Sequence, residues 1–129
     1  MKEFCIKSVD SDLRLVFNNF NGVYFTVHLV SIYLTVVRKV WVFSEPCDFP
    51  DLIESLASYE KPWKGVRRWE SLEREFMFSA TCNIRGNVTF EIELVHYDIA
   101  EYWLVKTQLN SEFGQLPNLA KAARSFFGD

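Results

Sequence analysis

Polar and apolar residues alternate with period two through most of the N-terminal third of the chain, the mark of strands with one dry face. The alternation predicts strands over 3–8 and 13–17, separated by the turn-forming run Val9, Asp10, Ser11, Asp12. Asn21-Gly22, a pair suited to positive φ, then precedes two longer runs rich in β-branched and aromatic residues, which predict strands over 23–30 and 32–43. Here the period changes. Asp48 stands as a cap, Pro50 in the first turn, and Leu52, Ile53, Leu56 and Tyr59 recur at helical spacing, predicting a helix over 50–59. Period two returns over 72–82 and 87–97, joined by a tight loop containing Gly86, and again over 102–109. The last segment sets Leu116, Leu119, Ala120, Ala123 and Phe127 on one face and stops at Gly128, predicting a helix over 115–127.

The expected fold is α+β: a mostly antiparallel sheet of about six to seven strands with two helices packed on one face. No repeat or linker divides the chain, so one domain over 1–129 is expected. Matching the apolar residues of the 72–97 hairpin pairs Phe76 with Ile92, Phe78 with Phe90 and Ala80 with Val88. That register opposes Glu75 to Glu93 and gathers Glu73, Glu75, Glu91 and Glu93 on the wet face, where Lys106 on the following strand offsets part of the charge.

Composition narrows the function. Aromatic residues make up 16% of the chain and Gly and Pro are few, which favours a packed globule over disorder. A net charge of −3 and a pI near 5.4 disfavour a general nucleic-acid binder and suit a basic partner. The apolar run over 23–37 falls short of the roughly 20 residues a membrane-spanning helix requires. The N-terminus has neither the basic flank nor the apolar run of a signal peptide, so a cytoplasmic protein is expected.

Candidate chemistry is sparse. His28 and His96 fall inside predicted strands without metal-ligand spacing, and Cys5, Cys47 and Cys82 are too scattered for a zinc or disulfide framework, so they read as reduced core thiols. No nucleotide-binding glycine loop or nucleophile motif is present. The glutamates could serve as acid–base pairs or magnesium ligands, but alternating charge on a strand is ordinarily its solvated side. The reading is a protein that is not an enzyme and needs no metal or cofactor. Lys61, Lys64, Arg67 and Arg68 interleave with Trp63 and Trp69, the composition of a single-strand nucleic-acid groove. The alternative is that the tryptophans anchor a loop while the cations stay in water. Trp63, between Pro62 and Gly65, is expected to be partly exposed as a docking anchor, and Trp69 and Trp103 to be structural.

Trp63, Gly65 and Trp69, followed by Ser71, Leu72, Glu73 and Glu75, resemble the signature of a family of small bacterial proteins of unknown function. The resemblance continues through Gly86, Val88, Trp103 and the Leu116, Leu119, Phe127 pattern, covering about 48–127. Asn87 replaces an expected histidine and Val66 a frequent second tryptophan. The order of elements is also similar to that of WapI-type immunity proteins, which implies an antitoxin that occludes a basic toxin domain such as a nuclease. Together these readings give a protein-binding module, an immunity protein by that resemblance, with Glu73, Glu75, Glu91, Glu93, Trp63, Arg67 and Arg68 as its partner surface. The alternatives are an aromatic small-ligand pocket and a single-strand nucleic-acid binder using the 63–69 loop.

Overall fold

The computed structural model describes residues 3–43 and 46–128. Four strands come first: β1 (Glu3–Lys7), β2 (Arg14–Asn18), β3 (Tyr24–Val30) and β4 (Thr35–Trp41). Helix α1 (Phe49–Ala57) follows, then β5 (Arg67–Glu70), β6 (Phe76–Cys82), β7 (Asn87–Tyr97) and β8 (Tyr102–Glu112). A single 3-10 turn (Phe113–Gln115) leads into α2 (Leu116–Phe127).

The fold is α+β and antiparallel, but its strands form two four-stranded sheets, β1-β2-β3-β4 and β5-β6-β7-β8, in place of the expected single sheet of six to seven. Each sheet is a meander in which every strand pairs with its neighbour in sequence. Alternation identifies a strand and its dry face, whereas sheet membership depends on where α1 carries the chain between β4 and β5. The additional strand is β5. The run expected as one strand over 72–82 is broken because the Ser71 N–H donates to the Phe76 carbonyl (2.9 Å) and the Arg74 N–H to the Ser71 carbonyl (2.9 Å), with Arg74 at φ 60°. This turn has neither Gly nor Pro at its bend, so the sequence gives little sign of it.

The dry faces of the two sheets meet in one aromatic core. Phe17 of β2 lies 5.8 Å from Phe76 of β6 between ring centroids and 5.1 Å from Phe49 of α1. Phe127 of α2 closes on Phe25 of β3 edge to face at 5.1 Å, an arrangement that aligns the positive ring edge with a negative ring face. Ile53 and Leu56 of α1, with Leu116 and Ala123 of α2, are buried in the same cluster. The Asp48 side chain does not cap α1; it accepts instead from Trp69 Nε1 at 2.6 Å. Outside the core, Arg124 of α2 donates to Glu54 (Nε, 2.9 Å) and Asp51 (Nη2, 2.7 Å) of α1.

Two seams join the sheets. On one side the Arg38 guanidinium of β4 donates to the Val95 carbonyl at 2.7 Å, and the Trp41 N–H of β4 donates to the Glu75 carboxylate at 3.2 Å. On the other, Val9 N–H donates to the Asn110 carbonyl at 2.9 Å and Asn110 N–H to the Ser8 hydroxyl at 3.2 Å.

Replacing Phe17 with Ala should cost about 3–5 kcal/mol, because a fully buried ring in contact with both sheets and both helices leaves a cavity; denaturant unfolding measures it. The Arg124 contact holds the Glu54 carboxyl below its usual range. A carboxyl depressed in the folded state stabilises above its unfolded pKa of about 4.3 and loses that contribution as pH falls through the folded value. Arg124→Ala should therefore flatten the decline of the urea midpoint below about pH 4, an effect kept small by the exposure of Glu54.

Candidate functional site

The β7–β8 ribbon changes character along its length. Its outward face begins polar, with Thr89 opposite Asn110, Glu91 opposite Gln108 and Glu93 opposite Lys106. The next two pairs on that face are Val95 with Leu104 and Tyr97 with Tyr102. β6 pairs β7 only as far as Leu94, and the ribbon projects beyond that point. Tyr97 is 78% exposed, Tyr102 62% and Leu104 46%, and Ile99 at the tip is fully exposed. The two tyrosine rings meet edge to face at 5.8 Å. An apolar, aromatic end on an otherwise polar strand pair is the composition of a contact surface.

The tip is held in shape by its own polar groups. Asp98 Oδ1 accepts the N–H groups of Ala100 (2.7 Å) and Glu101 (2.8 Å), closing the loop around Ile99. The Glu101 N–H, then the Ala100 N–H, hold the Asp98 carboxyl below its usual range, so the tip keeps its negative charge at neutral pH. His96 Nε2 lies 2.9 Å from Asp98 Oδ2, and its ring stacks on Trp103 at 5.7 Å. Trp103 is only half-buried. The sequence signal for this end is the loss of alternation at Val95 and Tyr97, which carry apolar side chains at the parity of Glu91 and Glu93.

The partner residues expected from sequence do not assemble as one surface. The hairpin register is Phe76 to Leu94, Phe78 to Ile92 and Ala80 to Phe90, two residues from the expected pairing and on the same faces. Asn83 fixes it: its N–H donates to the Asn87 carbonyl (3.0 Å) and its side chain accepts the N–H groups of Arg85 and Asn87 (3.0 Å each). Glu91 and Glu93 do face outward, opposite Ser79 and Met77 of β6. Glu73 is exposed on the 71–75 turn, away from them. Glu75 is buried, 3% exposed; its carboxylate accepts from the Ser71 hydroxyl and from Trp41 N–H at 3.2 Å. The turn that ends β5 aims it at β4 rather than at the wet face.

Around Glu91 and Glu93, Arg68 and Lys106 line the same shallow depression of about 100 Å³. The glutamate face is thus locally balanced, which weakens its expected pull on a basic partner. Trp63 is buried rather than partly exposed: it is 5% exposed and stacks on Tyr59 at 5.5 Å. Arg67 Nε donates to the Tyr59 hydroxyl at 2.9 Å, bracing the loop from the other side. A buried indole offers no face to a base or a partner, so Trp63 loses the docking role its Pro and Gly neighbours suggested.

The three cysteines are free and half-buried, and burial pushes the Cys47 thiol up to about 12. Cys47 lines a separate pocket of about 450 Å³ with Val42, Asp48, Trp69, Glu70 and Leu72. Among the described residues no three His, Cys, Asp or Glu side chains gather closely enough to hold a metal ion. No described helix is long and apolar enough to cross a membrane.

Glu75→Ala should destabilise by roughly 1–3 kcal/mol, because the Trp41 N–H and the Ser71 hydroxyl would be left buried without their acceptor. Glu93→Gln, on the solvated face, should stay within about 0.5 kcal/mol of the parent. Thermal or urea unfolding of the two variants side by side checks the contrast.

No curated protein and no solved structure matched the chain. A family profile, described as a family of unknown function (DUF6228), matches residues 6–129, spanning both sheets and both helices. The chain belongs to that family.

Proposed function

We propose that the protein is a non-catalytic binding module that docks a partner protein on the apolar end of the β7–β8 ribbon. The observation that carries this reading is the switch of the outward face from charged pairs to Val95–Leu104 and Tyr97–Tyr102, with Ile99 exposed at the tip. Tyrosines paired across strands are anchors that lose little side-chain entropy on binding. Asp98 and Glu101 rim these anchors with negative charge, and residues 95–104 contain no Lys or Arg. The partner that fits is an apolar groove bordered by cations, as on a basic toxin domain. The protein would then act as an immunity protein that occludes such a cleft, its acidic rim speeding encounter at low salt.

The pocket beside Trp69 supports a second reading. Its volume of about 450 Å³ and mixed lining of Trp69, Leu72, Asp48 and Glu70 suit a small organic cation. Leu72→Ser, at an exposed wall of the pocket, separates that reading from the first: calorimetric titration with a small organic cation such as tetramethylammonium should weaken while the ribbon is untouched.

The test of docking is a Tyr97→Ser, Ile99→Ser variant. Both side chains are exposed, so the unfolding midpoint should hold. Binding to the cognate partner should weaken by roughly thirtyfold or more. Affinity within a factor of two of the parent, measured by titration calorimetry, would reject the ribbon as the docking site.

A further inference from the structure

β8 is an edge strand of its sheet, and its outer backbone edge has no partner through most of its length. The N–H and carbonyl of Asn110 point away from β7 and bond Ser8 and Val9. By the alternation of an antiparallel pair, the backbone groups of Tyr102, Leu104, Lys106 and Gln108 point the same way. Among the described residues, none of them makes a hydrogen bond across that edge. The inward-facing Trp103, Val105 and Thr107 are only half-buried, so no other part of the described chain closes over the strand there. Long unpaired edges of this kind are templates for another strand.

The geometry points to a second copy of this chain as the occupant, pairing β8 with β8 antiparallel about a two-fold axis at Leu104 and joining two four-stranded sheets into one. The side chains suit self-pairing and disfavour registers centred beyond Leu104. With the axis at Leu104, Leu104 meets Leu104, Tyr102 meets Lys106 on the outward face, and Trp103 meets Val105 on the inward face. Each is a favourable cross-strand pair: apolar with apolar, and a cation beside an aromatic ring. An axis at Lys106 would oppose like charges, and one at Val105 would set Leu104 against Lys106. An isologous pair of this type is closed, so assembly stops at the dimer. Tyr102 and Leu104 belong to both surfaces, whereas Tyr97 and Ile99 lie outside the pairing edge, so a Tyr97→Ser, Ile99→Ser variant reads docking without removing a pairing residue.

Sedimentation across a concentration series should show the mass rising from 15.1 kDa toward twice that value. Leu104→Cys should then form a symmetric disulfide on mild oxidation, because facing hydrogen-bonded residues lie about 5.5 Å apart between Cα atoms, inside the disulfide range. Lys106→Cys, which faces Tyr102, should cross-link at least tenfold more slowly. Peptide mapping distinguishes either product from disulfides of the native cysteines. Leu104→Lys, at a site already half-exposed, should return the protein to monomer with its unfolding midpoint in dilute solution unchanged. A mass that stays monomeric up to the solubility limit would overturn the proposal. So would a Leu104→Lys variant that still dimerises, or cross-linking at position 106 as fast as at 104.

Discussion

The contact between Phe17 and Phe76 is the constraint on which the architecture depends. Each sheet has one dry face, and a four-stranded meander cannot hide that face alone. Burying a Phe side chain is worth roughly 1.5–3 kcal/mol, and here rings from both sheets and both helices share one cluster. The helices gain their place through the same cluster: Phe49 reaches Phe17, Phe76 and Phe78, and Phe127 reaches Phe17 and Phe25. Arg124 with Glu54 and Asp51 adds an exposed link between helices already positioned by that packing.

Once the core is set, the seams decide what remains outside it. Glu75 and Arg38 fasten the end of β4 to β7 at Val95. Past that point, among the described residues, no hydrogen bond from the other sheet reaches the ribbon, and its side chains are free to differ from the polar pattern nearer the core. The apolar end is therefore exposed by topology: β7 and β8 are each 11 residues long, whereas β6 has 7. The same length difference leaves the inner residues Trp103 and Val105 half-covered. A strand pair longer than its neighbours presents surface on both faces and along its edge.

Much of this fold was legible in the sequence, because period-two alternation reports faces directly. Phe76, Phe78, Ala80, Val88, Phe90 and Ile92 all point to the core, as the apolar matching required. The register was not legible to within two residues, since sliding by two preserves every face and only the Asn83 turn distinguishes the alternatives. The division into two sheets was hidden for a similar reason: alternation carries no information about which edges meet. Among the candidate site residues, Glu91 and Glu93 do lie on the outer face expected of them, and Arg68, expected in a loop, joins them there from β5. Glu75 and Trp63 depart from expectation, because hydrophilicity and neighbouring Pro or Gly are weak guides to burial when a side chain has specific partners inside.

The seam between Ser8 and Asn110 joins residues 102 positions apart, and this distance shapes how the chain reaches its structure. The first sheet is made of successive hairpins, which close quickly because their contacts are local. Its dry face, with Phe4, Phe17 and Phe25, meets only Phe49 of α1 until Phe76 of β6 and Phe127 of α2 exist. During synthesis the N-terminal sheet is thus left with an exposed aromatic surface while the remainder of the chain emerges, the interval in which nascent proteins aggregate or recruit chaperones. Completion depends on the last helix, so loss of the C-terminal Phe126 and Phe127 would act on folding yield well before it acted on any binding surface.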